Sequence, residues 1–255
     1  MTSQTEHEDI QKARQLLKNR RYKKAIALAK RSLKNYQDDS IRQHFLYILL
    51  SAYNQQDYLA DAADIINNLP DKKTLSSEML IELARYHQKT NDTTQAIQLL
   101  SFAQSHSSKD KNISIELGMC FNKICDSARA LQHFNQFAEQ LDGINVNDNR
   151  MLMVLQKICN LQGLSAYQRS LLDESFSNTL KPSPPQSRMG FILAQDSLRQ
   201  KKYSEESMYL TKANSMVLAS ESKTSIQWSA DINIKKTKAF ANYFQLLNPI
   251  GYPRN

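Results

Sequence analysis

The chain has 255 residues, 41% of them hydrophobic and 23% charged, with 33 Lys and Arg against 25 Asp and Glu for a formal net charge of +8. These proportions belong to an ordinary soluble protein and exclude a disordered or a membrane-embedded one, since no apolar run approaches the roughly 18 residues of a membrane span. Only five Gly and six Pro, set against many Leu, Ala, Lys, Gln and Asn, favour helix and leave little turn chemistry for sheets.

The N-terminal MTSQTEHEDI has neither the basic start nor the apolar stretch of a secretory signal, so the expected compartment is the cytoplasm. A first helical pair spans about Glu8 to Tyr36. Its opening helix carries Ile10, Ala13, Leu16 and Leu17 on one face, and Tyr22 starts a second helix with Ala25, Ile26, Ala29 and Leu33 inward. A second pair, about Ser40 to Leu69, is the most apolar, with Phe45, Leu46, Ile48, Leu49 and Leu50 in one helix and Pro70 as its stop. A third, Ser76 to Ser105, follows a Thr74-x-x-Ser77-Glu78 run suited to capping.

The fourth pair begins at Asn112. Here Leu117-Gly118, Phe121, Ala130 and Phe134 reproduce an L-G-x2-Y…A-x3-F pattern, in which small residues on two short helices, Gly118 and Ala130, are expected to face each other. Ala130, Ala96 and Ala62 stand 34 residues apart, and a step of 37 reaches Ala25. On these residues the chain resembles the tetratricopeptide (TPR) repeat family, which implies an all-α, right-handed superhelical solenoid of antiparallel helix pairs, with about twelve to fourteen helices for this length.

Gly143 is expected to close the fourth pair, with Asn145 to Asn149 as a polar turn. Between Arg150 and Leu180 the period fades, yet Met151, Leu152, Val154, Leu155, Ile158 and Leu161 still make an amphipathic helix that Gly163 breaks, so a degenerate fifth pair is expected. Lys181-Pro-Ser-Pro-Pro-Gln-Ser187 reads as a stiff linker that divides residues 1–180 from 188–248. A sixth pair follows from Arg188 to Ser220, where Leu193-Ala194, Tyr203 and Leu210 take the repeat positions and Glu206 stands in the small-residue slot. A helix from about Ser225 to Leu246, apolar at Ile226, Ile232, Ala239, Phe240, Tyr243 and Phe244, is expected to cap the stack, and residues 249–255 form an extended tail.

Residues 188–255 carry a second likeness. FILAQDSLRQKKYSEESMYLTKAN, the helix that follows and NPIGYPRN resemble the segment preceding the catalytic domain in bacterial TPR-sulfotransferase proteins, through the spacing of Tyr203, Leu210 and Ala213-Asn214. That family continues with a strand and a P-R-S-G-T-type loop for the sulfate donor, to which Pro253-Arg254-Asn255 does not correspond. The resemblance implies a part that recruits acceptor proteins.

No catalytic residue, cofactor site or metal site is expected. The five glycines are too far apart for any phosphate-binding loop, and the histidines form no paired motif. Cys120, Cys125 and His133 lack the spacing and the fourth ligand of a zinc site, and three cysteines in a chain of this size read as reduced thiols. The working surface of such a stack is its concave groove, lined by the first helix of each pair. Counting from the small anchors places Arg14, Lys18, Tyr47, Asn54, Arg85, Lys89, Met119 and Asn122 there. Those cations, amides and one aromatic ring suit a protein or peptide partner of acidic character. Glu78 and Glu82 stand where a basic carboxylate clamp would need cations. The +8 charge, concentrated between Lys18 and Lys34, admits nucleic acid as the rival partner, although aromatic residues are not interleaved with those cations.

Overall fold

A computed structural model of the chain describes residues 2–107, 110–139, 146, 148–178 and 183–220. Among them are twelve α-helices, one short 3-10 turn and no strand. The chain divides into two compact units between Gly143 and Ile144, earlier than the proline run that the sequence suggested as the divide. The N-terminal unit holds α1 (Thr2–Lys18), α2 (Tyr22–Asn35), α3 (Asp39–Gln55), α4 (Leu59–Asn67), α5 (Ser77–Lys89), α6 (Thr93–His106), α7 (Lys111–Lys123) and α8 (Ser127–Glu139). The C-terminal unit holds α9 (Asn149–Leu161), α10 (Ala166–Ser177), α11 (Pro184–Arg199) and α12 (Tyr203–Ser220).

In the N-terminal unit each helix packs against the next, and the first helices of the pairs also touch in sequence, α1 with α3, α3 with α5 and α5 with α7. The four small anchors Ala25, Ala62, Ala96 and Ala130 are wholly buried, as are Phe45, Leu50, Leu100 and Phe134. Burial therefore follows the repeat register. At Gly118 a Cβ would lie 2.5 Å from the Phe134 ring, so the glycine makes room for a buried aromatic ring one turn beyond Ala130 on α8. Gly118→Val is expected to destabilise this unit by about 1–3 kcal/mol through overpacking, against only a few tenths regained in helix propensity. Chemical denaturation checks this, and a midpoint at or above the parent's would mean that the Phe134 ring yields.

The turns within pairs share one device. Arg20, Asp57, Asn91 and Cys125, each five residues before its small anchor, all adopt left-handed backbone (φ 56° to 64°). In each case the next residue's N–H reaches back five residues, as from Asp126 to the Phe121 carbonyl at 2.9 Å, and the left-handed residue's own N–H reaches back three. This is a Schellman closure, and its paired bonds offset the roughly 1–2 kcal/mol that the left-handed conformation costs a residue other than glycine. Side-chain caps from Asp38, Asp92, Asp110, Asp126 and Asp148 start the following helices. The cap of α5 is Ser76, accepting from Met79 N–H, within the Thr74 to Glu78 run.

In the C-terminal unit α11 packs against α9, α10 and α12. Pro184 and Pro185 supply the first turn of α11, because a fixed φ and a missing N–H suit the start of a helix; the second half of the expected linker is thus helical. The last pair departs from the repeat pattern as well. Lys201 repeats the left-handed turn at φ 60°, but α12 buries Tyr209, Ala213 and Met216 and leaves Tyr203 and Leu210 exposed. Gly190 sets this register, since a Cβ there would stand 2.7 Å from the Phe176 ring and 2.8 Å from Ala213. The expected capping helix and tail, residues 225–255, and Gly143 lie outside the described residues.

Candidate protein-interaction face

The row of first helices carries a polar ladder that links successive repeats. At its start Arg14 on α1 pairs with Glu78 on α5 at 2.7 Å, lies over the Tyr47 ring at 5.4 Å from its centroid and approaches His44 Nδ1 at 3.4 Å. Burial, and then the Arg14 charge, hold the His44 imidazole below its ordinary value, so it faces that arginine as a neutral ring. Burial also pushes the Tyr47 phenol up, with Glu82 and Glu78 adding to the shift.

The centre of the ladder is Glu82. Only 2% exposed, it accepts from Ser51 Oγ at 3.1 Å, from Asn54 Nδ2 at 3.1 Å and from Arg85 at 2.7 Å, while its carbonyl takes a second Asn54 bond at 2.9 Å. Arg85 reaches on to Glu116 at 2.6 Å, and Gln88 donates to the same carboxylate at 3.2 Å. Burial works against the Arg85 charge, but Glu116 and then Glu82 outweigh it and hold the guanidinium well above its usual range. Every charge in this stretch is answered from within.

A second ladder runs along the turns. Lys89 near the end of α5 pairs with Asp57 in the preceding turn, and Lys123 one period later donates to the Gln88 carbonyl at 2.6 Å and to Asn91 Oδ1 at 3.0 Å. Each cation lies at the C-terminal end of the neighbouring first helix, where the helix dipole also favours it. In the C-terminal unit Arg199 repeats the arrangement on the Asn160 and Leu161 carbonyls, both at 3.1 Å.

The eight residues expected to line a groove therefore divide. Arg14 and Tyr47 are half-buried and meet each other, and Lys18 is exposed beside them on the wall of one cavity. Asn54 is 1% exposed and belongs to the core, where it serves Glu82 instead of a ligand. Arg85 and Lys89 are internal ties, and Met119 and Asn122 are half-buried on α7. The sequence reading missed Glu82 and Glu116 as ligands of that arginine, although they stand one period apart, three residues before the Arg85 position and its repeat equivalent.

Cys120 is buried in the same helix row, where burial pushes its thiol up to about 12, and burial pushes Cys159 up to about 11. Cys125 sits exposed at the tip of its turn. His133 stacks on Phe121 with centroids 5.4 Å apart. A thiol-exchange reagent is therefore expected to label Cys125 rapidly in the native protein and the other two only on unfolding, since the thiolate is the nucleophile. Rapid labelling of all three would contradict the packing of α7 and α9.

No family model matches the chain, and no curated protein matches it by sequence. Solved structures do. MamA of strain MSR-1, a TPR-like protein, aligns over 71% of this chain and 99% of its own with a TM-score of 0.51 at 16% identity. BtubC (BKLC) of P. vanneervenii aligns over 98% of this chain and 95% of its own with a TM-score of 0.55 at 12% identity. The fold is a TPR-like helical repeat. At such identities the likeness concerns the fold alone, and the anchors, Schellman turns and contacting first helices described above are its local causes.

Proposed function

We propose that this chain is a non-catalytic TPR-like scaffold that binds a protein or peptide along the face of its first helices, in the cytoplasm. The observation that carries the reading is the unbroken contact of α1, α3, α5 and α7, which puts half-buried Arg14 on α1, Tyr47 on α3, and Met119 and Asn122 on α7 along one row of helices. Rigid repeats of this kind present extended surfaces with little conformational cost on binding. A photo-crosslinking phenylalanine analogue at Tyr47 or at Met119 tests it in a native lysate treated with nuclease. A defined protein adduct from either position, absent when the analogue replaces Tyr167 on α10, is the expected result. Adducts to nucleic acid alone in an untreated lysate would replace this reading with that of a nucleic-acid-binding repeat, for which only the +8 charge speaks.

A narrower reading makes the chain the substrate-recruiting part of a sulfotransferase-like protein. It is supported by the likeness of residues 188–255 and by nothing in the packing. Under either reading the chain alone offers no helix-capped glycine loop for a donor nucleotide, and calorimetry with the adenylyl sulfate donor is expected to register no tight binding. Micromolar affinity would overturn the non-catalytic reading.

A further inference from the structure

Beyond the first two repeats the two cations of α5 on the inner row are met by carboxylates, Arg85 by Glu82 and Glu116 and Lys89 by Asp57. Unanswered charge collects elsewhere. At the turn between α1 and α2 a cavity of about 480 Å³ is lined by Arg20, Arg21, Tyr22, Lys23, Lys24 and Gln56. A second cavity, of about 400 Å³, contains Arg14, Lys18 and Tyr47 and shares Arg20 and Tyr22 with the first. No Asp or Glu lines either one. Among the described residues no carboxylate pairs with Lys18, Arg20, Arg21, Lys23 or Lys24.

The repeat register sharpens the contrast. Asp57 and Asn91 hold the left-handed turn position in the second and third repeats, and each accepts from a lysine of the next repeat. In the first repeat that position is Arg20, and the residue of the next repeat that would reach it is Gln55, which lines the second cavity. A cation stands where its neighbours carry an acceptor, and no cation is brought to meet it. The turn is open to an outside anion.

We propose that these two joined cavities dock an acidic protein segment, an extended run carrying several carboxylates that passes from Lys18 and Tyr47 round the Arg20 turn to Lys23 and Lys24, instead of continuing along the inner row. The proposal rests on the scaffold reading above and names the partner's chemistry. Exposed cations contribute little singly, about 0.2–1 kcal/mol each, so a useful affinity needs several contacts at once, and the two cavities supply them from one turn and two helices. A single nucleic-acid strand is disfavoured because it stacks its bases on a series of free ring faces, whereas only Tyr22 and Tyr47 line these cavities and the Arg14 guanidinium already lies over Tyr47.

The test uses the full chain with a labelled deca-glutamate peptide at low salt. The variant Arg20→Asn, Lys23→Glu, Lys24→Glu is chosen to fold: asparagine tolerates the left-handed turn, and glutamates in the first turn of α2 suit the helix dipole. A control with the same total charge change, Lys12→Asn, Lys34→Glu, Lys73→Glu, alters exposed positions that line neither cavity. The parent is expected to bind the peptide, the first variant to bind about tenfold or more weakly, and the control to stay near the parent. No peptide binding by the parent, or equal losses in both variants, would overturn the proposal. So would tighter binding of an oligothymidylate of matching length that the same variant abolishes. If the crosslinking test yields a protein adduct at Tyr47 or Met119 while the peptide fails to bind, the acidic docking site falls and the scaffold reading stands. Failure of both removes the two together.

Discussion

Replacing Glu82 with alanine is expected to cost the N-terminal unit about 3–5 kcal/mol, a large share of the 5–15 kcal/mol that stabilises a typical domain. The carboxylate is 2% exposed and serves as acceptor for Ser51, Asn54 and Arg85, so its removal takes one partner from each of three donors at once. Arg85 keeps Glu116, which limits the damage to its charge. Asn54 keeps its bond to the backbone carbonyl of position 82, but the Ser51 hydroxyl, 5% exposed, loses its carboxylate acceptor, and an unmet buried donor costs about 1–3 kcal/mol. Glu82→Gln keeps the shape and one acceptor oxygen while losing the charge, so it should fall between the parent and the alanine variant. Urea denaturation followed by circular dichroism measures both. A loss below about 1 kcal/mol for Glu82→Ala would mean that water enters and serves the donors.

The same geometry decides which substitutions can report on binding. Charge reversal at Arg85 would place a third carboxylate beside Glu82 and Glu116, and reversal at Lys89 would set two acids together at the Asp57 turn. Any change in partner affinity from those variants mixes recognition with stability. Arg20, Lys23 and Lys24 have no carboxylate partner among the described residues, which is why they bear the binding test.

The repeat skeleton was legible because it rests on residue size at a fixed spacing. Ala25, Ala62, Ala96 and Ala130 report one steric requirement repeated along the chain, and all four are wholly buried. The polar ladder was less legible because its pairs cross repeats: Arg14 meets Glu78 across 64 residues, and Arg85 meets Glu116 across 31. A groove position counted from the anchors says which way a side chain points along a helix, but not that a carboxylate on the next helix will take it. The turns hid their conformation for another reason. Arg20, Asp57, Asn91 and Cys125 share a backbone state and no chemistry, so the usual glycine signal is missing. In α12 the pattern misled, because Leu210 kept the repeat spacing while Gly190 drew Ala213 inward.

Asp196→Ala is expected to do to the C-terminal unit what Glu82→Ala does to the first, at about 3–5 kcal/mol. Asp196 is 1% exposed on α11 and gathers contacts from every side of the unit: the Leu164 N–H at 2.9 Å in the turn after α9, the Arg169 guanidinium of α10 and Gln200 Nε2 at 2.7 Å. Arg169 in turn reaches Ser197 Oγ at 2.9 Å and Glu205 of α12 at 2.6 Å. Loss of the aspartate leaves a guanidinium whose side chain is 17% exposed with one remaining carboxylate, itself 41% exposed and partly shared with water. It also frees the Leu164 amide, whose hydrogen-exchange protection should collapse in the native state. Glu205→Ala removes only the solvent-facing end of the chain of contacts and should cost about 1 kcal/mol or less. Comparable losses from the two variants would show that the unit is held by the apolar contacts of Phe176, Tyr209 and Ala213 and that the carboxylate merely decorates them.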